Sequence, residues 1–292
     1  MSSLNIQNHS LQLAAGLSRL QAPADAVASR ISSGQRIDRP SRDASGGGLA
    51  AKLDGQQARL EAVEVNLQNG VSRLQVTSNH LDTLARVITR LGEIATLGRN
   101  AVQSDAEHAL YAEETTQLLG QLRQTIGGSA DQIGGKTDVG RPLGEFQGTA
   151  LFGPGPADTL AIGLQTDEQL TLPVLDFRSG PLAALFRQDA NGTFTFKTDA
   201  ADATATLDAA LDQIAESQAR VGSVQSRLEF ASGVALTARA NQEAALSVIR
   251  DADLAAETTL QARLQILSEG HTAMLAQARD ASAKLLPLLS RN

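Results

Sequence analysis

Apolar residues recur every seven positions along two long stretches of the chain. The first repeat runs from Leu53 to Ile88, and the second runs from Leu207 to Ile249. A seven-residue repeat forms one stripe along an α-helix, which is typical of helices that pack in a bundle or coiled coil. The residues that we expect to form two facing stripes are Leu53, Leu60, Leu67, Leu74, Leu81 and Ile88 in the first stretch, and Leu207, Ile214, Val221 and Leu228 in the second. Two such helices, running antiparallel, would bury these stripes against each other within one chain.

Proline positions separate these stretches from a different middle. Proline interrupts helices because it lacks a backbone donor and clashes with the preceding turn. No proline lies between Pro40 and Pro142 or between Pro181 and Pro287. The middle contains short apolar runs bounded by Gly, Pro, Asn and Asp, and these runs are Leu160–Leu164, Gln169–Leu172 and Thr193–Phe196. They predict strands, and Asn191-Gly192 is a favoured hairpin turn.

Together these patterns predict a mainly α protein. We expect a long antiparallel bundle resembling a coiled coil, formed by both chain ends, with a small central segment rich in β-hairpins. The predicted segments are a terminal helix with a connecting spoke at 1–42, rod helices at 43–133, the β-rich segment at 134–203, a second rod helix at 204–254 and a terminal helix at 255–292.

Apolar faces continue beyond the rod at both ends of the chain. They include Leu11, Leu17, Leu20 and Ile31 at the amino end, and Leu267, Leu275, Leu285 and Leu289 at the carboxyl end. An isolated pair of such helices would expose a large apolar surface, and such surfaces usually mark interaction sites. We expect other copies of the chain to bury these faces; a closed monomeric bundle is the alternative.

The composition narrows the classes of function. The formal net charge of −7 and the pI near 5.2 lack the basic character of a nucleic-acid-binding protein. Cysteine is absent, which excludes disulfides and cysteine-based zinc sites. The first ten residues show no basic start followed by an apolar run, so we expect no cleavable signal peptide. No run approaches the roughly 18 apolar residues of a membrane span, so we expect no membrane insertion.

Catalytic and ligand-binding patterns are lacking. The four histidines are widely separated, and none has a metal-ligand partner at a recognised spacing. The glycines at Gly46–Gly48 are not followed by the Lys-Ser/Thr of a phosphate loop, so we interpret them as a flexible turn before the long helix. Asp251 and Asp253 suit surface or helix-cap roles. We therefore predict no catalytic, cofactor-binding or metal site.

Arg36 lies in a charged segment that also contains Arg30, Arg39, Arg42 and Asp43. By residue type alone this segment is a solvated loop, and ion pairs between copies of the chain are the alternative. We include Arg36 among the candidates for contacts between copies.

Several ordered motifs resemble those of the bacterial flagellins. The segment Arg30–Gly46 is similar to the family's Arg-Leu-Ser-Ser-Gly-x-Arg-Ile-Asn run, and Glu145–Leu151 is similar to the turn that opens its β region. The carboxyl-terminal matches are Val221–Leu228, Ile249–Asp253, Gln265–Leu267 and Leu275–Ala278. The resemblance covers roughly residues 1 to 130 and 205 to 292, with a short middle.

The resemblance implies a non-enzymatic subunit that polymerises with itself into the extracellular flagellar filament used for motility. It also implies export without a signal peptide, through the flagellar type III channel, and partners that include an export chaperone, a filament cap and hook-associated proteins. On an ungapped match, the family's residues facing a Toll-like receptor of a host fall on Arg90, Ile94 and Glu114. The alternative for Ile94 is simple packing.

Two departures and two alternatives accompany this interpretation. The family's Asp-Asp is Arg42-Asp43 here, and Gly47 and Gly48 replace bulkier residues. The homologous hook-filament junction adaptor is one alternative, suggested by the Pro40-Ser41 step. An enzyme is the other, and it would need a convergent polar pocket within residues 134 to 200.

Overall fold

A computed structural model of the chain describes the backbone at residues 2–39, 41–99 and 104–289, and the side-chain surroundings at 11–39, 41–99 and 104–280. Over these residues the helices are α1 (Ser2–Ser33), α2 (Ala44–Leu97), α3 (Asp105–Ile126), α4 (Ala130–Ile133), α5 (Pro181–Phe186), α6 (Ala203–Arg250) and α7 (Leu254–Leu289). The strands are β1 (Glu145–Phe146), β2 (Thr149–Ala150), β3 (Thr159–Ala161) and β4 (Gln169–Thr171). The prediction of long terminal helices around a small segment of antiparallel strand pairs is confirmed.

The chain divides into two compact units. Unit 1 comprises Met1–Ala58 and Arg239–Asn292, and unit 2 comprises Arg59–Ala238. Pro40, on which the resemblance to the junction adaptor rested, lies outside the described residues.

In unit 1, α1 packs against α7. Val27 is 1% exposed and Leu13 is 9% exposed, so α1 buries only part of its apolar face. A Cβ added to Gly16 would lie 2.8 Å from the imidazole ring of His271, so the missing side chain at Gly16 lets the two helices approach.

Two prolines lie inside terminal helices, although proline usually interrupts a helix. Pro23 is inside α1, and Pro287 falls within the bounds of α7. A proline inside a helix costs roughly 3 kcal/mol through its lost hydrogen bond and steric clash. For α1, packing along α7 offsets this cost.

The expectation of a flexible turn at Gly46–Gly48 is wrong, because α2 begins at Ala44 and includes these glycines. Asp43 organises this helix start: its Oδ1 accepts hydrogen bonds from the Gly46 amide at 2.8 Å and the Ser45 hydroxyl at 3.0 Å. The bond from Gly46 is the main reason that the pKa of Asp43 lies below its usual value. A Cβ on Gly46 would clash with Asp43 and with Ile37, whereas Gly48 faces open space.

The core of unit 2 joins the seven-residue stripes to the central segment. Leu81, Ile88 and Leu228 are fully buried there, in one apolar cluster with the phenyl rings of Phe152 and Phe177. Phe152 also meets His80 edge-on, with 6.3 Å between ring centroids, and burial lowers the pKa of that histidine.

Two arginines hold the loops of the central segment. Arg123 is 5% exposed and donates to the carbonyls of Ile133, Gly134 and Thr137. Burial lowers the pKa of its guanidinium. Arg178 donates in the same way to the carbonyls of two further loop residues, Gly127 and Phe152. Except for Ile133, the last residue of α4, the accepting residues lie outside the helices and strands, and these bonds satisfy their carbonyls.

The strands form two hairpins. β1 pairs with β2 across Gln147-Gly148, whose φ angles of 50° and 80° are those that a tight hairpin turn requires. β3 pairs with β4 in the register Leu160 opposite Leu170. A Cβ on Gly70 would lie 2.6 Å from a Leu160 methyl group, so glycine at this position of α2 seats the β3–β4 hairpin.

The strand predicted at Thr193–Phe196 is not formed. The Asp189 carboxylate accepts the amides of Asn191 and Thr193, which shapes the turn between the two segments. Only an isolated bridge joins Phe194 to Gln188, although Gly192 adopts the expected turn conformation at φ 87°. Helix α5 was not predicted, because Pro181 was interpreted as a break although it sits in the first turn, where proline is tolerated.

Candidate assembly surfaces

The segment after α1 pairs with the segment after α6 in unit 1. The Arg36 amide donates to the Arg250 carbonyl at 2.6 Å, and the Ala252 amide donates to the Gly34 carbonyl at 2.9 Å. The Arg36 Nη2 donates to the Ile249 carbonyl at 2.7 Å, near the carboxyl end of α6. Arg36 is therefore engaged within the chain, with its side chain 51% exposed. Its predicted role between copies stays a prediction.

Two aspartates form hydrogen bonds where α6 ends and α7 begins. Ser247 donates its hydroxyl to Asp251, and the Asp253 carboxylate accepts the amides of Ala255 and Ala256. The helix-cap interpretation is thus confirmed for Asp253, which starts α7. These bonds fix where α6 ends and α7 begins.

One ion pair ties α1 to α7. Arg30 Nε lies 2.7 Å from Glu257 Oε1, and Nη2 lies 2.9 Å from Oε2, which is a bidentate geometry. The side chains are only 20% and 16% exposed. The hydrogen bond to Glu257 is the main reason that the pKa of Arg30 lies above its usual value. Such partly buried charge-assisted pairs are stronger than exposed ones.

We expect Glu257→Gln to destabilise unit 1 by about 1–3 kcal/mol, because the guanidinium loses its charged partner while remaining half-buried. Urea unfolding measures the change. Arg30→Glu combined with Glu257→Arg should recover part of the loss. Glu216→Gln is the control, since the Arg220–Glu216 pair is 57% and 65% exposed. Equal losses in Glu257→Gln and Glu216→Gln would contradict a structural role for the α1–α7 pair.

The residues predicted for contacts between copies differ in exposure. Leu17, Leu20, Ile31 and Leu275 are half-buried, whereas Leu11 is 64% exposed and Leu267 is 41% exposed. Leu285 and Leu289 lie in α7 but outside the residues whose side chains are described.

An exposed apolar stripe runs along α7. It consists of Leu260, Ile266, Leu267 and Met274, which are 39%, 68%, 41% and 58% exposed. At about 100° per residue these positions fall within about 120° of the helix circumference. The stripe lies beside the face that carries Leu264 and Leu275, which are half-buried. Sequence reasoning missed Ile266, although its position next to Leu267 could have indicated it.

Most residues predicted for rod packing are buried. Leu53 is half-buried in unit 1, and Leu60 is 4% exposed in unit 2. The residues that share one apolar cluster in unit 2 are Leu67, Leu74, Leu81 and Ile88 from α2, and Leu207, Ile214, Val221 and Leu228 from α6. Each of them is at most 3% exposed.

The structure brings Arg90 and Glu114 together and buries Ile94. Arg90 Nε lies 2.6 Å from Glu114 Oε1, and its Nη1 lies 2.7 Å from Glu93. The hydrogen bond from Arg90 lowers the pKa of Glu114. Ile94 is 1% exposed, so its side chain packs inside unit 2.

Two of the cavities in the described part of unit 2 lie beside α6 and beside α3. One, of about 660 Å³, is an apolar groove between α6 and the chain around the β3–β4 hairpin. The other, of about 620 Å³, lies between α3 and residues 188–199 and is bordered by His108, Tyr111, Lys197 and Asp199.

No group of three His, Asp or Glu able to hold a metal ion occurs in the part of the chain that the structure describes. Over the same part, none of the helices has the length and apolarity that a membrane crossing requires.

Comparison with known proteins identifies similar chains. The profile of the bacterial flagellin N-terminal helical region matches residues 4–131, and that of the C-terminal helical region matches residues 204–289. The flagellar filament 33 kDa core protein of Treponema phagedenis is 33% identical over 269 residues, covering 89% of this chain and 90% of the relative. The flagellar filament 30.7 kDa core protein of Treponema maltophilum is 31% identical over 264 residues, with the same coverage. A flagellin of Bacillus subtilis is 28% identical over 313 residues, covering 97% of this chain and 99% of the relative.

Proposed function

The chain belongs to the bacterial flagellin family and is a structural subunit of a flagellar filament, and we propose that it polymerises outside the cell into a filament that drives motility. The family is a family of structural proteins. We propose that the chain carries out no catalysis of its own.

The main support for this proposal is the exposed apolar stripe of α7. A single chain leaves Ile266 and Met274 of α7 more than half exposed to water. Apolar surface of this kind is removed from water when chains associate. The stripe therefore supports assembly through the terminal helices, with unit 2 supplying a stable body.

Export and the other partners are proposals that rest on the family. We propose passage of the unfolded chain through the flagellar type III channel, with an export chaperone, a filament cap and hook-associated proteins as partners. The names of the relatives favour the filament subunit over the hook-filament junction adaptor.

Recognition by a Toll-like receptor of a host is a further proposal. The Arg90 and Glu114 side chains are 42% and 37% exposed, which leaves polar surface for such a partner. The burial of Ile94 supports its role in packing instead.

We expect the double variant Ile266→Asp/Met274→Asp to lose assembly while remaining folded. Two charges on the stripe would have to be desolvated between copies, whereas in the free chain they face water. Elongation of short filament seeds, followed by light scattering and electron microscopy, measures the effect.

The matched control is Gln265→Asp/Thr272→Asp, which adds the same two charges at exposed positions elsewhere on the circumference of α7. This control should elongate seeds more readily than the stripe variant. Normal filaments from Ile266→Asp/Met274→Asp would overturn the proposed role of the stripe.

A further inference from the structure

Two Asn-Gly pairs occur in the chain, Asn69-Gly70 and Asn191-Gly192. Such a pair can lose its side-chain amide without an enzyme, because glycine has no Cβ to hinder the attack of its own backbone nitrogen on the preceding side chain. Both asparagines are exposed to water. The two pairs therefore differ in the backbone around them rather than in their access to solvent.

The reaction consumes water and releases ammonia. The backbone nitrogen of the glycine loses its proton and attacks Cγ of the asparagine, a new C–N bond forms, and the side-chain amide takes up a proton and leaves as ammonia. Water then opens the resulting succinimide ring at either carbonyl, which gives aspartate or isoaspartate. The attack requires a glycine amide that is free to approach Cγ in the correct orientation.

Helix α2 protects the first pair. Asn69-Gly70 lies well inside α2, where each amide donates to the carbonyl four residues before it. Gly70 is buried, and a Cβ there would meet methyl groups of Leu160 and Leu228. The Gly70 amide consequently cannot turn towards Cγ of Asn69 unless the helix opens.

Asp189 holds the turn that contains the second pair. Its backbone carbonyl accepts the Gly192 amide at 3.0 Å, and its Oδ1 accepts the amides of Asn191 at 2.8 Å and Thr193 at 2.9 Å. The Asp189 amide donates in return to the Thr193 carbonyl at 2.9 Å. The nitrogen that would attack Asn191 is thus already engaged in a hydrogen bond of the turn.

This turn is more easily opened than a long helix. Asp189, Asn191 and Thr193 are all exposed, and hydrogen bonds in exposed irregular segments open by local fluctuation. The hydrogen bond from the Thr193 amide is the main reason that the pKa of Asp189 lies below its usual value. The carboxylate therefore stays ionised near neutral pH and keeps accepting these amides.

We propose that Asn191 is a site of spontaneous deamidation, and that the Asp189 carboxylate sets the rate by keeping the Gly192 amide in the hydrogen bond of the turn. Asp189 is a positioning residue and takes no part in the bond changes. The reaction proceeds through the opened turn, so it is slow in the folded chain and faster in the unfolded chain. The inference goes beyond the proposed function and does not rest on it.

Deamidation changes one edge of the cavity of about 620 Å³. Gly192, Thr193 and Phe194 line this cavity together with Tyr111 of α3. An aspartate at position 191 adds a negative charge close to Asp189, and like charges repel. An isoaspartate also lengthens the backbone by one carbon. Both products therefore weaken the turn that borders the cavity.

Trypsin releases the two pairs on separate peptides, 60–73 and 188–197, because each peptide lies between basic residues. We would incubate the full-length chain at neutral pH, folded and in guanidinium chloride, and measure aspartate and isoaspartate in both peptides by mass spectrometry. A sample without incubation corrects for reaction during digestion. We expect Asn191 to react several-fold faster in the unfolded chain than in the folded chain, and Asn69 to react measurably only in the unfolded chain.

Three variants test the part played by Asp189. Asp189→Ala should raise the folded rate at Asn191 by roughly tenfold, because two charge-assisted hydrogen bonds are lost. Asp189→Ser should give an intermediate rate, because a hydroxyl accepts the same amides more weakly. The control is Asp199→Ala, which removes another exposed aspartate of the same segment and should leave the rate unchanged. Rates in guanidinium chloride report any direct effect of a substitution on the chemistry.

Equal rates at Asn191 in the folded and unfolded wild-type chain would overturn the proposal, and so would equal folded rates in Asp189→Ala and Asp199→Ala. Asn69 reports global unfolding, because its rate rises only when α2 opens. If Asp189→Ala also accelerates Asn69, the comparison passes to Asp189→Ser. Equal folded rates in Asp189→Ser and Asp199→Ala would then refute the role of Asp189.

Discussion

Replacing Leu74 with aspartate is expected to lower the free energy of unfolding of unit 2 by about 3–5 kcal/mol. Leu74 is 3% exposed and belongs to the apolar cluster shared by α2 and α6. The substitution removes a buried isobutyl group and places a carboxylate where no compensating partner exists. A domain of this size should lose about 10 °C in its thermal midpoint, measured by far-ultraviolet circular dichroism.

Gln75→Asp is the matched control for this prediction. Gln75 is the next residue of α2 and is exposed, so the same carboxylate there faces water. We expect its midpoint to stay close to that of the wild type, since exposed substitutions usually change stability little. A midpoint unchanged by Leu74→Asp would show that the seven-residue stripe does not form the core.

Ending the chain at Ala262 is expected to abolish polymerisation. The deletion of residues 263–292 removes Ile266, Leu267 and Met274 of the exposed stripe, and it also removes much of the surface on which α1 packs. Because the core cluster of unit 2 involves none of these residues, the truncated chain should be a folded, soluble monomer. Sedimentation velocity and electron microscopy after seeding measure both properties.

A second observation separates lost assembly from lost folding. The thermal midpoint of unit 2 should stay within a few degrees of the full-length value in the truncated chain. Filaments assembled from the truncated chain would refute the assignment of the terminal segments to contacts between copies. Aggregates with a strongly lowered midpoint would show that the terminal segments are needed for folding itself.

The long helices could be predicted because periodicity is a property of the sequence alone. The repeat from Leu53 to Ile88 requires a helix to place its members on one side, whatever the partner is. The central hairpins were foreseen less well, since their strands are only two or three residues long.

The structure differs locally from the prediction where a side chain forms hydrogen bonds with the nearby backbone. Asp43 accepts amide protons at the start of α2 and so draws Gly46 into the helix. Asp189 shapes a turn instead, because its carboxylate accepts the amides of Asn191 and Thr193 while the backbone pairing around it stays limited to one bridge. Each effect depends on the position of a single aspartate, and the pattern of apolar residues does not predict it.

The contacts at the candidate surfaces could not be predicted, because they join residues that are far apart in the sequence. Arg30 and Glu257 are far apart in the chain, and no spacing rule joins them, although α1 and α7 bring them to 2.7 Å. Similarly, the seven-residue repeat does not show that Gly70 receives Leu160 of the β3–β4 hairpin. The groove beside Phe230 exists because that hairpin is seated there.

Seeded polymerisation of the purified full-length chain, followed by electron microscopy, tests the central claim most directly. Short filament fragments supply the ends onto which further copies add. A filament subunit should extend these seeds into long, uniform filaments while free monomer is consumed. Persistent monomer, or addition limited to one layer at the seed ends, would contradict the claim and favour the junction adaptor.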